Sequence, residues 1–344
     1  MKKQSKLLAL LLACAMTLAL SACGGNSATT STPAGSAAPA ASGSAAATGD
    51  KTYTIGICQL VQHNALDAAT KGFKDALTEK LGDKVKFDEQ NAAGDSATCA
   101  TICNQFVSSK VDLIMANATP ALQAATAATN SIPILGTSVT DYGTALSIAD
   151  WKGTTGTNVT GTADLAPLDK QAEMIKTLFP DKKNVGILYC SAEPNSKYQS
   201  TEITKYLTDA GYTCKEYTFA DSNDVAAVTK TACDESDVIY VPTDNTAASC
   251  AESINNIAEP AKVPIVAGES GICTGCGVAT LSIDYYDLGV VTGNMAYEVL
   301  VNGADPATTE IQFAPKTTYQ YMADRCEKLG VKVPSDYVAI EAEK

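Results

Sequence analysis

The chain has 344 residues, with 38 acidic against 25 basic side chains and a formal net charge of −13. A surface this acidic, with no basic stripe, repels phosphate backbones and argues against nucleic-acid binding. One histidine, His63, and one arginine, Arg325, leave little for imidazole catalysis, a histidine-rich metal centre or a guanidinium clamp.

The first segment runs from Lys2, Lys3 and Lys6 through LLALLLACAMTLAL to Leu20-Ser21-Ala22-Cys23. Its apolar run is short for a membrane span, and small residues stand immediately before a cysteine. Residues 1–22 therefore read as a lipoprotein signal peptide, with Cys23 as the lipidated first residue of the mature chain. Two acyl chains hold a protein on a membrane where one binds only reversibly, so a lasting membrane anchor is expected. Residues 23–50 are Gly, Ser, Ala, Thr and Pro almost throughout, too poor in apolar surface to fold, and read as a flexible tether. With the three leader lysines set aside, 22 basic residues face 38 acids, a formal charge near −16.

The folded body then repeats one grammar. TYTIGIC is an apolar, β-branched run of the kind a strand shows when helices cover both faces. A polar loop follows, carrying Gln59, His63, Asn64 and Asp67. Leu66, Ala69, Phe73, Leu77 and Leu81 then draw one stripe down a helix. KVKFDEQNA, a helix over 96–109, VDLIMANA, an alanine-rich helix opening on Thr119 and Pro120, and IPILGTS extend the pattern to a polar loop from Thr137 through Ser138 to Asp141. Near Asp164 a first lobe ends. The second half restarts with NVGILYC and a loop carrying Ser191 and Asn195, an internal echo of 53–90. VIYVPTDN ends on Thr243, Asp244 and Asn245, VPIVAGES on Glu269, and VATLSIDYYDLG on Asp284 and Tyr285. The division expected is 51–163 for one lobe, completed by 288–318, then 164–287 for the other, and 319–344 as a C-terminal tail.

In an open parallel sheet the loops at the carboxyl ends of strands form the ligand crevice, so these loop residues are the candidate binding set. Ten cysteines follow Cys23. Cys99, Cys103 and Cys250 share apolar faces and read as core residues. Cys273 and Cys276, in GICTGCG, leave open a local disulfide, a metal half-site or a redox pair beside a merely structural role. Without further histidines or a second CxxC, no zinc site is expected.

The lipobox and tether, followed in order by IGICQLVQHNALDAATKGF, ANATP, ILGTSVTD, NVTGTADL, VGILYCSAEPNS, IYVPTDN, VAGESG and LSIDYYDLG, resemble the ABC-transporter substrate-binding lipoproteins of the tryptophan/tyrosine-type group. The likeness covers about residues 53 to 330. It departs from the group at Glu269, where a GDEG-like spacing is the pattern, and at the cysteine-rich GICTGC. The resemblance implies an α/β fold of the type I periplasmic-binding-protein kind, with two Rossmann-like lobes of parallel sheet joined by a hinge. It also implies a small-molecule ligand held between the lobes and delivery to an ABC permease and its ATPase. No cofactor or metal is expected, and the protein is expected to be a monomer.

For an amino-acid ligand, helix N-termini and the hydroxyls of Thr119, Thr137, Ser138 and Ser191 would hold a carboxylate, while Asp244, Glu269 and Asp284 are the acids to pair with an ammonium. Leu66, Tyr142, Tyr198, Tyr285 and Tyr286 are the side chains available to stack on a flat ring. A nucleoside, a sugar or a branched aliphatic amino acid is the alternative ligand, and a ligand-presenting sensor the alternative role. Catalysis is not expected, because GESG lacks the spacing of a nucleophile elbow. A DNA-binding regulator built on the same lobes is disfavoured by the export signal.

Overall fold

The computed structural model describes residues 51–341. The leader, Cys23 and the tether lie outside the described residues. In the first half the chain alternates β1 (Tyr53–Gln59), α1 (Asn64–Leu81), β2 (Val85–Asn91), α2 (Ser96–Ser109), β3 (Leu113–Asn117), α3 (Thr119–Ala128), β4 (Ile134–Val139), the short α4 (Tyr142–Leu146) and β5 (Val159–Ala163). It then crosses to α5 (Leu168–Leu178), β6 (Asn184–Cys190), α6 (Pro194–Asp209), β7 (Thr213–Phe219), α7 (Val225–Glu235), β8 (Val238–Val241), α8 (Asn245–Ser249), α9 (Ala251–Ala261), β9 (Ile265–Ala267), α10 (Ser270–Cys276) and β10 (Ala279–Ile283). The last part comprises α11 (Tyr285–Val301), β11 (Gln312–Phe313), β12 (Thr317–Tyr321), α12 (Ala323–Leu329) and β13 (Val338–Ala339).

Two sheets result, with orders β2-β1-β3-β4-β5-β11 and β7-β6-β8-β9-β10-β12-β13. The first is parallel throughout; in the second, β12 runs antiparallel to β10. Strands such as LIMAN in β3 and VIYV in β8 are buried at every position, because helices cover both faces of each sheet and no residue alternates out to water. Apolar clusters lie on the two faces of the first sheet, one centred on Phe106 and Leu122, the other on Phe73 and Met115. Two more sandwich the second sheet, around Ile254 and Tyr240.

The chain passes between the sheets three times, after β5, after β10 and between β11 and β12. Helix α11 lies against α1 of the first sheet, and the two approach at backbone distance. A Cβ at Gly72 would lie 2.1 Å from the carbonyl oxygen of Tyr286, and one at Gly289 2.0 Å from that of Ala69. Only glycine fits at both crossings, and the stretch that follows supplies β11 to the same sheet. The stretch expected to be a tail, 319–344, behaves otherwise over its described part. Most of β12, with α12 and β13, extends the second sheet, and Cys326 of α12 is buried in its core. Its short strands and scattered apolar residues give little periodicity to read.

All ten cysteines of the described body are free thiols. Cys273 and Cys276 sit inside α10, buried, their pKa values pushed up by burial, so they pack as small apolar side chains.

Candidate functional site

The carboxyl ends of β1, β3 and β4 face those of β6, β8 and β9 across the gap between the lobes, and contacts already bridge it. His63 Nε2 lies 3.2 Å from Asn245 Oδ1, and Gln199 Nε2 donates to Thr140 Oγ1 at 3.4 Å.

On the first lobe the register sets Gln59 beside Asn117 and Asn117 beside Thr137. These three do different things. Gln59 is saturated: its Nε2 donates to Val61 O at 3.0 Å and Asp67 Oδ1 at 2.6 Å, and its Oε1 accepts from Thr70 Oγ1 at 2.7 Å. Gln59 and Asp67 thus tie the β1–α1 loop to its helix. Thr137 turns away from the gap to a hydroxyl cluster with Thr162 and Thr292 at 3.2 and 3.1 Å, under α11. Asn117 donates to Leu66 O and Thr70 Oγ1, and its Oδ1 is buried without a partner.

Two hydroxyls beside it are also buried and unpartnered, Thr119 Oγ1 and Ser138 Oγ. The backbone is bent to present them. Ala118 has φ 90° and ψ 158°, and Ser138 has φ 55° where the pairing of β4 with β5 shifts register. Non-glycine residues in such conformations store about 1–3 kcal/mol each and persist where surrounding structure enforces them. Pro120 occupies the first turn of α3, where the missing N–H breaks no helical bond.

The second lobe supplies acids. Asp244 Oδ2 accepts from Cys190 N and Ser196 Oγ, each at 2.7 Å, and its Oδ1 from Ala247 N at 2.7 Å. It is a cap and a strut, both of its oxygens already bonded within the second lobe. Burial and then the nearby Glu193 push its pKa up to about 7. Glu269 caps α10 through Gly271 N at 2.6 Å and Ile272 N, and burial raises its pKa against the opposing pull of His63. Asn195 donates to Glu193, Ser196 and Thr243 O, yet its Oδ1 is buried and unpartnered. Thr243 donates through its backbone to Gln199 Oε1 at 3.0 Å.

Where the lobes join stands Asp164, at the first crossover and 3 % exposed. Tyr285, at the second crossover, donates its hydroxyl to Asp164 Oδ2 at 3.0 Å, and Thr140 donates to Oδ1 at 3.3 Å. Burial raises the Asp164 carboxyl to about 6; the two hydroxyls oppose this and Glu269 adds to it. Among the described residues no lysine or arginine forms a salt bridge with Asp164, Asp244 or Glu269. Buried acids without a lysine or arginine partner thus stand near buried hydroxyls lacking a donor or acceptor, among the described residues.

Other expected residues lie elsewhere. Asp284 is exposed and caps α11 through Asp287 N at 3.0 Å. Ser191 is exposed and bonds Phe219 O at 3.2 Å. Asp141 caps α4 through Thr144 N at 2.6 Å. Asn64 is exposed at the start of α1. Leu66 and Tyr142 belong to the core, and Tyr286 is an exposed ring under Lys71. Of the candidate ring stackers, Tyr285 stays in the cluster, while half-buried Tyr198 lines an outer recess with Trp151. Asn117, Thr140, Asp164, Glu193 and Gln199 were not among the expected set. Asp164 carried a signal, an acid between Ala163 and Leu165 at the end of an apolar strand, but it read only as a lobe boundary. The lone arginine serves a helix end: Arg325 donates to the carbonyls of Cys273, Thr274, Gly275 and Gly277 at 2.6–2.8 Å, closing the C-terminus of α10.

Among the described residues no group of three His, Cys, Asp or Glu side chains is placed to hold a metal, and no helix is long and apolar enough to cross a membrane.

Residues 54–344 match the family described as ABC transporter substrate binding protein. A tyrosine-binding protein of Clostridioides difficile is 40% identical over 265 residues, 75% of this chain and 76% of that protein. The crystal structure of an ABC domain in complex with L-Trp from Streptococcus pneumonia is 35% identical, with a TM-score of 0.79 over 83% of this chain and 97% of the other. The ligand-free, open structure of a substrate binding protein with adhesive properties from Clostridium difficile is 36% identical, over 85% of this chain and 100% of the other, at a TM-score of 0.65.

Proposed function

From its membership of the ABC transporter substrate-binding protein family, we propose that this chain captures an aromatic amino acid, tryptophan or tyrosine, between its lobes outside the cytoplasm and presents it to an ABC permease. One observation carries this reading. Thr119 and Ser138, near the carboxyl ends of β3 and β4, carry buried hydroxyls without a partner, and the strand-end acids Asp164 and Glu269 are buried with no lysine or arginine salt bridge among the described residues. A zwitterion supplies what each half lacks. Its carboxylate accepts from Thr119 at the start of α3, where the helix dipole favours an anion, and from Ser138 in β4, and its ammonium pairs with Asp164. Asp164 thereby takes the role the sequence had assigned to Asp244, Glu269 and Asp284. The likeness to an L-Trp complex and to a tyrosine-binding protein supports the ligand class.

A thermal-shift screen of amino acids and nucleosides tests the reading, since a ligand at about 100 times its dissociation constant adds roughly 2.7 kcal/mol of stability. Stabilisation by L-tryptophan or L-tyrosine that is lost in Asp164→Asn supports it. A response to uridine or ribose alone overturns it. Closure around the ligand is read in the same way: small-angle scattering should show a smaller radius on adding the stabilising amino acid. The lipid anchor at Cys23 belongs to the proposal too. Cys23→Ala should release the protein from membranes or leave its leader uncut, and a processed, membrane-bound variant would end that part.

A further inference from the structure

Glu193, at the start of α6, is 3 % exposed and receives five hydrogen bonds from neutral donors. Asn245 N and Nδ2 reach Oε2 at 3.1 and 2.6 Å, Asn195 Nδ2 reaches it at 3.1 Å, and Thr246 N and Oγ1 reach Oε1, each at 2.8 Å. Both oxygens only accept, so the amide of Asn245 has one orientation: Nδ2 toward Glu193, Oδ1 toward His63. Oδ1 cannot donate, and the hydrogen in the 3.2 Å contact must come from His63 Nε2. In the neutral ring Nδ1 is then an acceptor. It is buried and has no partner.

We propose that Glu193 and Asn245 act as positioning residues that fix His63 with Nδ1 as an acceptor, and that this acceptor selects a ring carrying an N–H or O–H, indole or phenol, over a bare ring. The inference rests on the reading of the cleft as an aromatic amino-acid site and adds its specificity. His63 leaves the carboxyl end of β1, the position from which a parallel sheet reaches its ligand. A site built to bond a ligand's polar hydrogen rejects the analogue without it, because the buried acceptor then loses water and gains nothing.

Isothermal titration of the full chain with L-tryptophan, L-tyrosine and L-phenylalanine tests this. The native protein should bind L-phenylalanine roughly 10- to 100-fold more weakly than the preferred of the other two. His63→Ala and Asn245→Ala should erase that ratio by weakening the preferred ligand while leaving L-phenylalanine nearly unchanged, and His63→Gln, whose amide oxygen still accepts, should keep part of it. His63 is the only imidazole in the chain, so its ring 15N signals need no assignment. They should be pyrrole-like at Nε2 and pyridine-like at Nδ1 in the native complex, and averaged in Asn245→Ala. Equal native affinity for all three amino acids overturns the inference and leaves the amino-acid site standing. An equal loss for all three in His63→Ala also overturns it, because the acceptor would then serve the common ammonium. If none of the three binds, the aromatic reading falls and this inference with it.

Discussion

The two walls of the cleft are polar in opposite ways. On the wall of the second lobe, Asp244 and Glu193 accept eight hydrogen bonds between them, all from the same lobe. On the wall of the first lobe, Thr119 and Ser138 carry hydroxyls with no partner, on backbone held in costly conformations. A strand-end acid that already caps a helix is thus a poor guide to a ligand here, and an idle hydroxyl a better one. One wall is built to stay folded, the other to be completed from outside.

That contrast breaks most readily at Asp244. Asp244→Ala leaves Cys190 N, Ser196 Oγ and Ala247 N buried without an acceptor, and stability should fall by about 3–5 kcal/mol in denaturant unfolding. A loss under 1 kcal/mol would mean that the second wall is not structural.

Asp164 should show the next largest effect, through pH. Burial raises its carboxyl in the folded state from the ordinary 3.8 to about 6, so the protonated form favours folding. Its contribution is complete below about pH 4 and disappears as pH rises through 6, a span of roughly 3 kcal/mol at most. Unfolding free energies from pH 4 to 7.5 should therefore decline less in Asp164→Asn than in the native protein. Parallel curves would contradict the assignment.

Thr119→Val sharpens the comparison from the other side. It removes an unpartnered hydroxyl at nearly constant volume, so stability should hold or rise by up to about 1 kcal/mol. Affinity for the stabilising amino acid should fall about tenfold. Ser191→Ala, exposed and outside the cluster, should alter neither quantity beyond about 0.5 kcal/mol. A tenfold loss of affinity there would move the site away from the cleft described.

Both lobes were legible in the sequence because their strands are buried runs bounded by turn residues and their helices carry clear stripes. What the sequence hid was direction. Thr119, Thr137 and Ser138 looked alike, yet register and a bulge point one of them under α11 and leave two idle. Asp244, Glu269 and Asp284 looked alike as strand-end acids, and each proved a helix cap. Asp164 and Tyr285 meet only because two crossovers lie side by side, a proximity across 121 positions that no local pattern encodes. Arg325 was equally opaque: nothing near it in sequence announces the carbonyls it closes.

The glycine-lined contact of α1 with α11 has a bearing on how the protein is made. The face of α1 that carries Phe73 and Leu77 waits for a helix encoded more than 200 residues later, and its sheet receives its last strand only at 312–313. During synthesis and export, that apolar face has no permanent cover until nearly the whole chain has been delivered. The second lobe cannot finish first either, since its edge strand ends at Ala339. Neither lobe is a contiguous stretch that can mature while the other is still being threaded, so a truncation anywhere before residue 300 should leave both unfinished and expose the stalled chain to proteases.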